Sequence, residues 1–338
     1  MAGIASTDRD PGATVTDPVR DIDILVVGEI NPDIVVTDPD PVPVFGEVER
    51  LVRSIGLTVG SSSAIFACGA ARLGLRVAFV GVVGADPLGR FMLAAMAERG
   101  IDVSACTVAP ARPTGATVIL TSGRDRAMLT AMGTIGALDV DTIPISTLGR
   151  ARHLHSGCFY LQETSRDRLP ALFATARAGG QTTSFDTNWD PSGRWDGVEA
   201  MLRACDVFLP NEAEACRIAR RDDVEEAARE LARIGAVGRA GAGPVIAVKR
   251  GAKGAIAIGP DGDIVRQQSL PIDPVDTTGA GDSFNAGFLR TWLENGSVPD
   301  ALRLGVACGT LSTRRPGGVD GQATLEEANE ALSGRTTL

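Results

Sequence analysis

The chain has 338 residues, is 44% hydrophobic but only 4% aromatic, and carries a formal net charge of −9. So acidic a balance excludes a general nucleic-acid-binding surface, which needs a basic patch, and leaves any anionic ligand to be met locally by Lys, helix N-termini or a divalent cation. No run of about 18 uninterrupted apolar residues occurs, so there is no candidate membrane span.

Residues 1–20 are polar and rich in Asp, Pro and Thr, without a basic start followed by an apolar run, and read as a disordered tail rather than a signal peptide. From residue 21 to 338 one α/β domain is expected. Ile24 to Gly28 is a short apolar run, as for a strand buried on both faces. Glu29-Ile30-Asn31-Pro32-Asp33 follows; an ionised Asp at a strand's C-terminal end can accept hydrogen bonds from two hydroxyls, and the competing reading is a bare Asx-Pro turn. Val35 to Val52 is Pro-rich and extended. Gly60-Ser61-Ser62-Ser63 then leads into an Ala-rich helix from Ser63 to Leu73, for which the Ser run offers an N-cap. Val77 to Val83 reads as a strand, and Asp86-Pro87 as the cap and first residue of a helix ending at Arg99. Thr114 to Thr121 and Arg126 to Ala131 read as strands split by a turn at Ser122 to Asp125. With the extended segment they make a small separate sheet, from insertions at about 34–58 and 112–132.

After residue 150, strands are expected near His153–Tyr160, Thr182–Asp186, Val207–Leu209, Val245–Lys249 and Ala255–Ile258, with helices near 165–178, 197–204, 212–219, 223–235, 282–294, 298–313 and 324–332. Strands alternating with crossover helices imply a mainly parallel sheet with helices on both faces, and ligands at the carboxyl ends of its strands. His153 and His155 have no Cys/His companions, which argues against zinc. The six Cys contain no Cys-x-x-Cys pair and are expected to be reduced residues of a cytoplasmic protein. In Pro210-Asn211-Glu212-Ala213-Glu214, Asn211 reads as an N-cap and Glu214 as its capping-box partner. Gly251 and Gly254 allow a tight turn after Lys249, which reads either as a phosphate-binding cation or as part of a solvated basic hairpin.

The densest signal is Asp276-Thr277-Thr278-Gly279-Ala280-Gly281-Asp282-Ser283-Phe284-Asn285-Ala286-Gly287-Phe288-Leu289. Gly279, Ala280 and Gly281 let backbone approach a ligand closely, and the unpaired N–H groups of a starting helix suit a phosphate. Asp282 at that junction suits a proton acceptor for a hydroxyl attacking a phosphoryl group. Neither Gly-x-Gly-x-x-Gly after the first strand nor any Gly-Lys pair occurs, which removes the dinucleotide and Walker readings.

This string resembles the C-terminal signature of the ribokinase/PfkB carbohydrate kinase family, and Val59 to Gly74 resembles the N-terminal one; the resemblance covers about residues 22–333. It implies a ribokinase-like α/β fold with a β-sheet lid, and ATP-dependent phosphorylation of a hydroxyl on a small sugar or sugar-like substrate. On the matching positions it implies Asp282 as general base and the amides of Gly279, Ala280, Gly281 and Asp282 as anion hole. It further implies Asp33, Asn31, Gly60 and Ser61 at the sugar. Asn211 and Glu214 would sit around Mg²⁺ and its waters, and Lys249, Gly251, Gly254 and Thr278 around the nucleotide. Asp276 and Thr278 match positions that hold a monovalent cation such as K⁺ in some members, with Ala307 to Gly318, including Arg314-Arg315-Pro316-Gly317-Gly318, flanking that ion and the adenine. Two departures matter: Ser61 replaces the second glycine of a usual pair, and Ile65, which cannot hydrogen-bond through its side chain, stands where Asn is usual.

A nucleoside or sugar-phosphate kinase of the same fold is the alternative. Few aromatics are present to stack a base, and the candidate cations are Arg112, Arg124 and Arg126, with none beside Asp33 or Gly60. A non-catalytic nucleotide- or sugar-binding regulator is suggested by the altered Gly60 segment and opposed by the intact Asp282. The free edges of a lid sheet suggest a homodimer through the lid.

Overall fold

A computed structural model describes residues 20–122, 125–239 and 241–334. Of the tail expected over residues 1–20, residues 1–19 lie outside the described residues, as does Arg124. Arg20, read as the end of that tail, donates to the carbonyls of Gly179 (2.7 Å) and Gly180 (3.0 Å) and so belongs to the domain.

The strands are β1 (Ile22–Val27), β2 (Pro32–Thr37), β3 (Ser54–Val59), β4 (Val77–Val80), β5 (Val82–Gly84), β6 (Thr107–Ala109), β7 (Ala116–Ser122) and β8 (Asp125–Ala131). They continue with β9 (Ala151–Ser156), β10 (Thr182–Phe185), β11 (Val207–Phe208), β12 (Val245–Lys249), β13 (Ala255–Ile258) and β14 (Ile264–Gln267). The helices are α1 (Ser62–Arg72), α2 (Pro87–Ala97), α3 (Ile145–Gly149), α4 (Leu169–Ala178), α5 (Glu199–Ala204), α6 (Glu212–Ala219), α7 (Val224–Ala236), α8 (Ala280–Asn295), α9 (Val298–Ser312) and α10 (Leu325–Leu332).

The main sheet has eight strands in the order β14-β13-β12-β11-β10-β9-β1-β4. Pairing is parallel from β4 to β12 and antiparallel at β13 and β14. Its strands point alternate residues into two cores, as the pleat requires. Val245 and Ala247 face one core, with residues of α1, α2, α8, α9 and α10, while Ile246 and Val248 face the other, with residues of α4, α5 and α7. The expected mainly parallel sheet with helices on both faces is therefore observed.

A four-stranded sheet, β3-β2-β7-β8, stands apart from the main one. One of its faces carries Asp33, Thr117 and Thr130, in register with one another.

Several expected boundaries shift. Val77 to Val83 is not one strand: after Val80 the chain leaves β1, the Gly81 carbonyl accepts from Thr107 N (2.9 Å), and β5 pairs with β6 in a separate two-stranded sheet. The strand from His153 ends at Ser156, because Cys158 takes a left-handed conformation (φ 54°) and a turn of 3₁₀ helix follows at Phe159–Leu161. The helix expected from 165 begins at Leu169, after turns closed by Ser165. Pro32 does not make an isolated turn but opens β2, whose last four residues are apolar or Thr.

Candidate active site

The carboxyl ends of the parallel strands and the inner face of the small sheet enclose a cleft of about 1420 Å³. Its lining runs from Asn31 and, on the small sheet, Asp33 and Thr117, past the start of α8, to Gly251, Gly254 and Thr313.

Asp33 enters from β2 and is buried. Loss of water raises its carboxyl to about 7, opposed by the charge of Arg126. It packs against the backbone of residue 60, where a Cβ would lie 2.7 Å from Asp33 N and overlap the carboxylate itself. Gly60 is therefore required by the approach of Asp33. Asn31 is buried with only long contacts, 3.5 Å to the Pro32 carbonyl and 3.5 Å to Thr117 Oγ1.

Ser61 caps α1: its Oγ accepts from Ala64 N (3.1 Å) and donates to the Glu29 carbonyl (2.6 Å). Its φ of 67° belongs to the left-handed region in which glycine is at ease. Glu29 is fully enclosed, accepting from Ser63 N (3.1 Å) and Ser63 Oγ (2.6 Å), and burial pushes its carboxyl above the usual range. The Ser run thus caps the helix and holds a buried carboxylate, which accounts for Ser61 and Ser63. Ser62 alone reaches across the cleft, donating to Asp282 Oδ1.

Asp282 lies in the first turn of α8. Its N-cap, Gly279, has φ 71°, and a Cβ there would meet Gly318 O at 2.7 Å and Ile65 Cγ2 at 2.8 Å. Burial raises the Asp282 carboxyl to about 7; Ser62 and Lys249 oppose this, and Asp186 and Glu29 add to it. The turn Gly279–Ala280–Gly281 and Asp282 all line the cleft.

Asn211 and Glu214 form the expected capping box: Glu214 N donates to Asn211 Oδ1 (2.9 Å), and Asn211 N and Nδ2 donate to the Glu214 carboxylate (2.8 and 2.6 Å). Burial and the charge of Asp186 lift Glu214 to about 7, with Lys249 opposing. Gly251 opens a 3₁₀ turn beside the cleft and Gly254 follows its last residue. Lys249 is not part of a solvated hairpin. Its side chain is 12% exposed and its Nζ donates to Asp186 Oδ2 (2.6 Å). Asp276 Oδ1 accepts from Thr278 N (2.9 Å) and Oγ1 (2.8 Å) and Oδ2 accepts from Gly317 N (2.9 Å), so the carboxylate braces the loop before the Gly279–Gly281 turn. Those hydrogen bonds, together with Arg126, outweigh burial and keep it ionised below its ordinary range.

Sequence reasoning missed two residues, Asp186 and Asn188, and the position of a third, Arg126. Asp186, one residue past the end of β10, is held by Lys249 and by Asn285 Nδ2 (2.6 Å); its place at the carboxyl end of a parallel strand was the available signal. Asn188 follows it, within 3.4 Å of Ser62 Oγ. Arg126, separated from Asp33 by 93 positions, reaches over the cleft from β8 and donates to Thr278 Oγ1 (2.8 Å). A cation therefore does stand near Asp33, which no local pattern indicates. His153 and His155 are buried, hydrogen-bonded to Thr182 and Ser184, and held neutral by burial.

The family description "pfkB family carbohydrate kinase" matches residues 21–325. The ATP-dependent ribose-1-phosphate kinase of Halopiger xanaduensis is 31% identical over 297 residues, covering 87% of this chain and 93% of that protein. Among solved structures, the Arabidopsis thaliana ribokinase complexed with ribose and ATP superposes with a TM-score of 0.77 at 22% identity, covering 92% of this chain and 98% of that one. An E. coli chain in complex with ATP and Mg²⁺ superposes with a TM-score of 0.78 at 22% identity, covering 93% and 99%. The chain belongs to the pfkB family of carbohydrate kinases and has the ribokinase fold.

Proposed function

We propose that the chain transfers the γ-phosphoryl group of Mg-ATP to a hydroxyl of a small sugar or sugar-like acceptor. The observation that carries this reading is the placement of Asp282. A carboxylate raised to about 7 stands at the start of α8, beside the open Gly279–Gly281 turn, and shares one cleft with Asp33 and Asn31. Asp33 and Asn31 orient the acceptor through its hydroxyls. Ser62 occupies Asp282 Oδ1, and the other carboxylate oxygen takes the acceptor proton as the hydroxyl oxygen attacks phosphorus. The amides of Gly279, Ala280, Gly281 and Asp282 stabilise charge on the group in flight. Gly251 and Gly254 line the nucleotide end.

The Glu214 carboxylate fits Mg²⁺ through water rather than directly, since both oxygens already accept from Asn211 while lining the cleft. When bound, the ion neutralises phosphate charge. A monovalent cation such as K⁺ at Asp276 and Thr278 completes the proposal, tested by activity in K⁺ against Na⁺.

Arg126 favours a second reading, a sugar-phosphate acceptor, because its guanidinium stands over the cleft near Asp33. The fold also supports a homodimer. The outer face of the small sheet leaves Ile55, Leu57 and Leu129 66%, 45% and 64% exposed, an apolar surface that a second copy would cover. Among the described residues no helix is long and apolar enough to cross a membrane, and we place the enzyme in the cytoplasm, where Mg-ATP is supplied.

The test is ADP release with Mg-ATP against sugars, sugar acids, sugar phosphates and nucleosides, run beside Asp282→Asn. Turnover of one acceptor that falls at least about 100-fold in the variant is expected. Near-normal turnover in Asp282→Asn refutes the assignment of the base. Nucleotide binding without transfer to any acceptor would support the regulator.

A further inference from the structure

Beneath the proposed anion hole lies a buried ion pair that the mechanism above does not use. Lys249 ends β12, and its stem runs under Gly281, where a Cβ would lie 3.5 Å from both Cδ and Nζ. Nζ donates to Asp186 Oδ2 (2.6 Å) and to Asn285 Oδ1 (3.3 Å). Asn285 Nδ2 donates to the same Asp186 oxygen (2.6 Å), closing a triangle of three side chains from β12, α8 and the end of β10. Asp186 is 1% and Lys249 12% exposed.

A buried ion pair is weak evidence for stability, because desolvation of both charges offsets their attraction and a neutral pair of similar size often serves as well. Its position gives it another task. The ammonium sits against the first turn of α8, whose N-terminal amides already present partial positive charge to the cleft. In a site shielded from bulk water a fixed cation there acts on the same anion as those amides. Burial opposes the charge on Lys249, but the groups facing it, Asp186, Glu214 and Asp282, outweigh burial and keep it protonated.

We propose that Asp186 is a positioning residue: with Asn285 it holds the Lys249 ammonium under the Gly279–Asp282 turn, where the cation strengthens the anion hole toward the γ-phosphoryl group. This rests on the reading of that turn as the anion hole. Without Asp186, the flexible Lys stem has no fixed partner and the ammonium is free to swing toward Glu214 or the cleft.

The experiment is a cycle of Lys249→Met, Asp186→Asn and the double variant, measuring the binding of Mg-AMP-PNP and of Mg-ADP by calorimetry, and kcat once an acceptor is in hand. Lys249→Met is expected to weaken Mg-AMP-PNP about tenfold and Mg-ADP less than about threefold, and to lower kcat about 100-fold. Asp186→Asn is expected to match it, and the double variant to be no worse than about twofold below Lys249→Met, since Asp186 acts through Lys249. If Asp186→Asn leaves an unpaired buried cation and fails to fold, the neutral double variant still decides. Wild-type binding and kcat in the double variant overturn the inference, as do single effects that multiply in the double, or equal losses for both nucleotides. The nucleotide comparison needs no acceptor. Loss of the AMP-PNP preference in a protein that phosphorylates nothing sinks the proposed function and keeps this inference; sugar turnover with unchanged kcat in Lys249→Met does the reverse.

Discussion

Replacing Ser62 by Ala removes the hydroxyl that donates to Asp282 Oδ1 and leaves the rest of the carboxylate's surroundings in place. Burial has already raised Asp282 to about 7, and Ser62 is the first of the two groups holding it down, ahead of Lys249. A hydrogen bond to a charged group contributes about 1.5–3 kcal/mol, and one pKa unit is about 1.4 kcal/mol, so the carboxyl should rise by about 1–2 units. The sign follows from the chemistry. In the proposed role of base only ionised Asp282 accepts a proton, so activity is expected above its pKa and its loss below it. The acid limb of kcat/KM, which reports the free enzyme, should therefore move from near 7 to about 8–9. At pH 7 the variant should retain roughly one-fiftieth to one-fifth of wild-type kcat/KM, and most of that loss should disappear near pH 9.5. Asp33 is also raised to about 7, but the one charge acting on it is Arg126, so its titration should stay in place and the variant's limb should separate into two steps. The assay is a kcat/KM profile from pH 5.5 to 9.5 for both proteins with one acceptor. A limb that does not move, moves to lower pH, or a loss equal at all pH values would refute the role given to Ser62.

Gly60→Ala places a methyl group into Asp33, so we expect the acceptor KM to rise at least about tenfold and stability to fall by about 1–3 kcal/mol, read by kinetics and urea unfolding. Asp33 and Glu214 are held above ordinary carboxyl values, so the folded chain binds more protons than the unfolded one between about pH 4 and 7, and stability should fall as pH rises through that window. Between pH 6 and 8 each such group contributes a loss of about 1 kcal/mol, so the ligand-free protein should melt at a lower temperature at pH 8 than at pH 6, whereas Asp23, lowered to about 2 by Arg76, works in the opposite direction only at much lower pH. Leu57→Glu puts a charge on the exposed apolar face of the small sheet and should shift the proposed dimer to monomer in analytical ultracentrifugation; a sedimentation coefficient equal to that of the wild type would refute a dimer through this face.

What the sequence made legible is what is coded locally. The capping box of Asn211 and Glu214 needs only residues three apart, and both of its hydrogen bonds form. The Asp86-Pro87 helix start likewise holds, with Asp86 capping Gly89 N at 2.9 Å. The run from Asp276 to Leu289 puts its glycine at a left-handed N-cap and its Asp in the first helical turn, because that geometry follows from adjacent residues. Contacts made by topology stayed hidden. Lys249 and Asp186 are 63 positions apart, and nothing near Lys249 distinguishes a buried ammonium from one waving in solvent. β14 was overlooked because Ile264 to Gln267 is four residues long and lies at a sheet edge, too short to show a period.

The two departures from the family pattern, at residues 61 and 65, bear on which part of the cleft chooses the acceptor. Ser61 accepts a left-handed φ, a cost of about 1–2 kcal/mol, offset by a cap to Ala64 and a bond to the Glu29 carbonyl, each contributing about 1 kcal/mol. Ile65 is 3% exposed and packs beneath the turn, so close to Gly318 that a Cβ there would lie 2.5 Å from its Cδ1. Both side chains line the floor of the cleft and make these contacts with the protein itself. We expect discrimination among acceptors to rest mainly on groups of the small sheet, Asp33, Thr117, Thr130 and Arg126, and on Asn31 beside it. Ile65→Asn, which restores the usual residue, should accordingly add no new acceptor. Its amide would be buried among the backbone of Gly279 and Gly318 with no assured partner, costing about 1–3 kcal/mol in urea unfolding, while Arg126→Ala should reorder the acceptor panel, most for anionic sugars. An Ile65→Asn protein that unfolds like the wild type and phosphorylates a sugar the wild type rejects would show that specificity resides in the floor.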